Sequence, residues 1–168
     1  MSKVLVRWNE LSAEAAATEI MLCCGSSAWA RELAARRPFK DEISLVKASD
    51  EIWRQLETKH WLEAFSKHPR IGERKVPRGT SAQSAAWSAQ EQRDAADENY
   101  QAVLAEANQK YERRFGRVFI VCATGKSVSE VLNILRERLL NDDATELRIA
   151  AEEQRKITDL RLKKWLEQ

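Results

Sequence analysis

The sequence predicts an all-α fold: one compact domain over residues 1–168, of about seven or eight helices, with one buried extended segment at 119–123. Three observations carry that expectation. Apolar residues recur at three- and four-residue spacing along most of the chain. Serine or aspartate precedes these stretches, and glycine follows several of them. Only Arg117 to Gly125 (RVFIVCATG) is β-branched, apolar and bounded by glycines, and no second strand pattern exists to pair with it.

Taken in order, the first ten residues, MSKVLVRWNE, show no strong preference. Ser12 suits the cap of a helix through Cys24, with Gly25 as its stop. A second helix fits Ser27 to Arg36, with Trp29 and Leu33 on one face, and Pro38 ends it. Asp41 or Ser44 opens the next, with Leu45, Ile52, Trp53 and Leu56 turned inward. A short helix follows from Thr58 to Ser66, and Pro69 forbids its continuation.

Ser66 to Gln92 reads as a loop, the longest stretch without helical rhythm. Ser88 then begins a long helix to Gly116, with Ala95, Asn99, Ala102, Val103 and Ala107 on its buried side. After the extended run, Ser127 or Ser129 caps a helix to Leu140. Residues 141–143 turn, and a last helix runs from Ala144 to Trp165.

Bulk properties narrow the function classes. A net charge of +2 argues against a dedicated nucleic-acid binder, although Arg70, Arg74, Lys75 and Arg78 make the loop locally basic. No apolar run approaches a membrane span, and no signal-peptide pattern opens the chain. Three cysteines, with Cys23 and Cys24 adjacent, fit neither a disulfide framework nor a CxxC metal pair. Buried thiols in a reducing cytoplasm are the simplest account, and no peroxisomal tripeptide closes the chain.

Four places can carry chemistry. Proline after His68 biases that residue away from helix and presents its imidazole at a helix end. Imidazole exchanges protons near neutral pH. His60 adds no HExxH arrangement, so a metal site is not expected. Ser88-Ala89-Gln90-Glu91-Gln92 has the spacing of a capping box, and Glu91 and Gln92 are candidates to face a pocket. A helix start there would also offer amides to an anion. Arg161 falls in the inward stripe Leu147, Ala151, Gln154, Ile157, Trp165, where a guanidinium needs a partner. That partner is an internal carboxylate, a snorkelling path to water, or a bound carboxylate held by both guanidinium nitrogens. Phe119, Ile120, Val121, Cys122 and Ala123 form an extended apolar run. Packing explains its side chains, and bonding to a ring-shaped ligand would explain its backbone.

Together these motifs resemble the 2-oxo-4-hydroxy-4-carboxy-5-ureidoimidazoline (OHCU) decarboxylases of urate breakdown. The matching pieces are HPRIG (His68–Gly72), SAQEQ (Ser88–Gln92), the Asn108–Gly116 run and FIVCATGKS (Phe119–Ser127), with the closing Arg136–Leu162 stretch. They cover nearly the whole chain in the expected order. Arg117-Val118 departs from the pattern, since many relatives carry an aromatic and a proline there.

The resemblance implies an all-helical, cofactor-free decarboxylase that yields (S)-allantoin and carbon dioxide. By position, His68 would donate the proton, Glu91 would be its acid–base partner, and Arg161 would hold substrate. Pro69, Ser88, Ala89, Gln90, Glu91, Gln92 and the Phe119–Ala123 backbone would line the pocket. The partner implied is the small-molecule substrate alone, without nucleic acid or membrane. Relatives include dimers, so a homodimer is compatible, with any exposed tryptophan as a marker of its surface. At this length a fused hydrolase domain is not expected within residues 1–168. The competing expectation is a helical module that binds protein or nucleic acid through the basic loop 70–78. An enzyme shifted to a related ureido or hydantoin substrate is a further one.

Overall fold

The computed structural model describes residues 2–72, 81–91 and 98–168, with side chains except at 90, 91 and 98–100. Among the described residues it holds nine α-helices and no strand, so the all-α expectation holds and the helix count rises. These are α1 (Lys3–Glu10), α2 (Ala13–Cys24), α3 (Ser27–Ala35), α4 (Glu42–Gln55), α5 (Thr58–Ser66), α6 (Ala82–Glu91), α7 (Glu98–Phe115), α8 (Val128–Arg138) and α9 (Asp143–Leu166).

Most boundaries follow local chemistry. Ser12 Oγ accepts from Ala15 N at the start of α2, and Gly25, at φ 84°, supplies the left-handed residue that ends it. Asp41 and Ser44, alternatives in the sequence, act jointly: they form a reciprocal capping box at the head of α4. Ser127 and Glu130 do the same for α8.

Two expectations are corrected. The first ten residues do form a helix, α1, capped by Ser2, whose Oγ accepts from Leu5 N at 3.2 Å. Val4 and Val6 weaken intrinsic helicity there. Burial decides instead: Leu5 and Trp8 are fully enclosed, and the Trp8 indole donates to Ala16 O at 3.0 Å.

The second correction concerns the loop. Ser81, not Ser88, starts α6, its Oγ accepting from Ser84 N at 3.1 Å. Ser88 lies well inside that helix, so the capping box with Glu91 and the helix start placed there are both withdrawn. Ser-Ala-Gln occurs at 81–83 and again at 88–90, giving two equivalent local signals. The alanines between them favour helix, and Ser84, Trp87 and Ser88 form its buried side.

The long helix expected from Ser88 is therefore α6 followed by α7; Ala95 and the Asn99 side chain lie outside the described residues. The buried stripe of α7 is Leu104, Ala107, Asn108, Tyr111 and Phe115, whereas Ala102 and Val103 are exposed. Leu104, Tyr111 and Phe115 carry far more apolar surface, and they set the phase of the helix.

Contacts divide the chain into two units, residues 1–64 with 155–168, and residues 65–154. In the first unit Trp8 meets Trp165 edge-on at 5.6 Å, and the Trp29 indole donates to Ser49 Oγ at 3.2 Å. The tryptophans are mainly core: Trp8, Trp29, Trp53, Trp87 and Trp165 are buried and Trp61 half-buried. In the second unit Tyr111 packs on Phe115 and Phe119, at 4.8 and 5.1 Å between ring centres. Ile71, Leu104, Val121, Val131 and Leu135 complete that core. Phe119–Ala123 is buried and without helix, as expected. No described helix is long and apolar enough to cross a membrane.

Candidate functional site

The second unit holds His68 in a built frame. Helix α5 ends at Ser66, and the His68 amide closes the turn on Phe65 O at 3.1 Å. Pro69 prevents further helix. Helix α7 then pins the following residues: Asn108 Nδ2 donates to Ile71 O at 2.9 Å, and Arg70 Nη2 donates to Glu112 Oε2 at 2.8 Å. Arg70 is thus paired within the chain at an exposed position, while Arg74, Lys75 and Arg78 lie outside the described residues. The half-buried His68 ring places Nε2 2.7 Å from Oε1 of Gln154, a wholly buried residue of α9.

The extended segment is gripped by side chains from the same unit. Arg138 Nη1 donates to Ile120 O at 2.5 Å, and its guanidinium lies 4.6 Å from the Phe119 ring centre. Lys126 Nζ donates to Cys122 O at 2.8 Å, and Cys122 N donates to Glu153 Oε2 at 2.7 Å. Three of the backbone groups expected to await a ligand are therefore already bonded within the chain.

Arg138 is itself held by Glu146, which accepts from Nε at 2.8 Å and Nη2 at 2.5 Å. Tyr111 OH and Asn141 Nδ2 complete the carboxylate's partners. Burial, and then the bond to Glu146, pushes the Tyr111 phenol well up, so it stays a proton donor. This network answers the cost of a charge that water does not reach.

In the first unit Arg161 is 3% exposed, so the inward stripe read along α9 places it correctly. Ile157 and Trp165 of the same unit are buried too; of the stripe residues in the second unit, Ala151 and Gln154 are buried and Leu147 half-buried. Its surroundings include Cys23 and Cys24, the last residues of α2. Burial raises both thiols, Cys24 to about 12, against the opposing pull of the Thr158 hydrogen bond and Arg161. None of the three cysteines forms a disulfide, and all are buried.

Of the remaining candidates, Pro69 is half-buried, Ser88 buried and Ala89 exposed. The Gln90 and Glu91 side chains and all of Gln92 lie outside the described residues. Sequence reasoning missed Gln154 and Glu153 as partners of the site elements. A glutamine in an otherwise apolar helix stripe was the available signal. It missed Arg138–Glu146 altogether, because neither residue belongs to a pattern that sets it apart from the charged residues around it.

Comparisons with known proteins agree in one direction. The family model described as OHCU decarboxylase matches residues 9–163. The chain is 40% identical over 154 residues to the uric acid degradation bifunctional protein TTL of Arabidopsis thaliana, covering 87% of this chain and 46% of that protein. It is 36% identical over 96 residues to the 2-oxo-4-hydroxy-4-carboxy-5-ureidoimidazoline decarboxylase of Amia calva, covering 56% of this chain and 55% of that one. The chain thus spans about half the length of these curated relatives. A crystal structure of OHCU decarboxylase in the presence of (S)-allantoin superposes with a TM-score of 0.77 at 36% identity, over 89% of this chain and 98% of that one. A structure of (S)-allantoin synthase, at 16% identity and a TM-score of 0.71, covers 96% of this chain and 53% of that one and speaks for the fold alone. With a family match across most of its length, this chain belongs to the OHCU decarboxylase family.

Proposed function

We propose that this protein decarboxylates OHCU to (S)-allantoin and carbon dioxide, without a cofactor, in urate degradation. The observation that carries the reading is the likeness to a solved OHCU decarboxylase over 98% of that chain. The framed imidazole of His68 and the buried guanidinium of Arg161 support it.

The reaction asks little of a protein. The carboxylate departs from a carbon next to the ring imine carbon. As that C–C bond breaks, its electron pair passes into the ring toward the imine nitrogen, and carbon dioxide leaves. A proton then adds to one face of the carbon bearing the ureido group. The hydroxyl proton on the neighbouring carbon passes to the ring nitrogen that took up the electron pair, which leaves the product carbonyl and a neutral ring. The substrate is its own electron sink, so the protein supplies orientation, charge stabilisation and one directed proton.

Arg161 holds the substrate as a fixed cation. His68 delivers the proton, and Glu91 is its acid–base and positioning partner. Pro69, Ser88 to Gln92 and the Phe119–Ala123 backbone line the pocket. The single domain over 1–168, the cytoplasmic location and the homodimer belong to the same reading, as does a substrate pool that excludes nucleic acid.

The test is circular dichroism of allantoin formation, with substrate generated fresh from urate by the two preceding enzymes, with and without chelator. Rapid (S)-allantoin formation indifferent to chelator supports the reading. Racemic product at the blank's rate overturns it. His68→Asn is expected to lose about a hundredfold in rate, the scale of a positioned general acid. Full rate and stereochemistry in that variant would end the proton-donor assignment.

A further inference from the structure

Gln154 is wholly buried on a helix face that also carries Ala150, Ala151 and Ile157. A primary amide in such a place is costly unless its polar atoms are bonded. Its oxygen is directed at Nε2 of His68, 2.7 Å away. An amide oxygen only accepts, so this contact requires a proton on Nε2.

The identity of the acceptor matters as much as its distance. A carboxylate at this distance would favour imidazolium and make it a reluctant acid. An amide fixes the ring while adding no charge. The neighbouring residue, Glu153, accepts from Cys122 N at 2.7 Å. Consecutive residues of α9 therefore hold the imidazole and the extended segment in one frame. In the same frame Arg70 donates to Glu112, and Glu91 remains the charged partner proposed for the ring.

We propose that Gln154 is a positioning residue for the reaction: its amide oxygen holds one proton on His68 Nε2 and aims the ring, so that the proton delivered to substrate is the one carried on Nδ1 of the imidazolium. This rests on the reading of His68 as the proton donor. It goes beyond that reading by naming what sets the donor's orientation and protonation.

The experiment uses the full chain and two readouts. Only two histidines are present, so nitrogen-15 NMR of the rings is assigned by the His68→Asn variant. The unmodified chain is expected to show Nε2 of His68 protonated. Gln154→Glu is expected to raise the midpoint of His68 by about one pH unit or more, and the pH profile of kcat/KM with it. Gln154→Met keeps the length and removes the acceptor. It is expected to lose about tenfold to a hundredfold in kcat, the cost of a misaimed group, with KM within about twofold.

A His68 midpoint unmoved in Gln154→Glu, or full kcat in Gln154→Met, would overturn the proposal. Should Gln154→Met fail to fold, the Gln154→Glu midpoint decides alone. A chain inactive toward OHCU whose His68 midpoint still follows residue 154 would sink the function while keeping Gln154's control of the ring.

Discussion

Arg138 and Arg161 are both buried, at 5% and 3% exposure, each within its own unit. Arg138 stands with a carboxylate: Glu146 takes two of its nitrogens, and a third bonds the Ile120 carbonyl. Arg161 acts on the buried thiols of Cys23 and Cys24, which also feel the carboxylates of Glu19 and Glu63 respectively. Burial by itself therefore does not separate a structural arginine from one that holds a ligand. Whether a substitution is felt in stability or in activity is what distinguishes them, and the first two of four predictions test that distinction.

The largest effect belongs to the paired arginine. Arg138→Met alone strands Glu146 in the core and is expected to destabilise the chain by about 3–5 kcal/mol in denaturant unfolding. Adding Glu146→Leu should recover most of that loss, because the pair is then removed together. A single variant as stable as the parent would deny the pair its structural role.

Arg161→Lys comes next and should read in activity. The charge remains and the planar fork is lost, so kcat/KM should fall about a hundredfold while the melting temperature moves little. A variant that melts early but keeps its rate would place Arg161 in the same class as Arg138.

The cysteines give a pH test with a definite sign. Burial lifts the Cys24 thiol from its ordinary 9.0 to about 12. The folded state therefore keeps a proton that the unfolded chain gives up. Its contribution to stability is complete below pH 9.0 and is lost as pH rises toward about 12. Chemical unfolding across that window should show the decline, and Cys24→Ala should flatten it. An unchanged slope would mean that the thiol is not shielded as described.

The smallest effect separates the two serines of the repeated triplet. Ser81→Ala removes a helix cap and should cost about 1 kcal/mol in unfolding. Ser88→Ala removes no cap and is expected to show in KM, through the pocket-lining role proposed for it. Equal losses of stability in both would blur the assignment of the helix start.

Legibility in the sequence followed the strength of local signals. Ser12 with Gly25, Asp41 with Ser44, and Ser127 with Glu130 each satisfy their own helix end, so those boundaries could be read directly. Arg161 could be placed inward because α9 is long and its stripe holds its phase over several turns. Ser88 could not be placed, because an identical triplet stands about two turns earlier, at Ser81, and either copy can cap.

The sequence by itself determined the helical class, most caps, the lone extended segment, the inward arginine and the family resemblance. All of these rest on residues near one another in the chain or on motifs in order. Only the tertiary structure decided that α1 forms, where α6 begins, which face of α7 is buried, and that Glu146 neutralises Arg138. It alone brought Gln154 to His68, a residue 86 positions away. The physical reason is common to these cases: burial and hydrogen-bond satisfaction depend on partners from other elements, and helical periodicity records which residues turn inward but not what they meet.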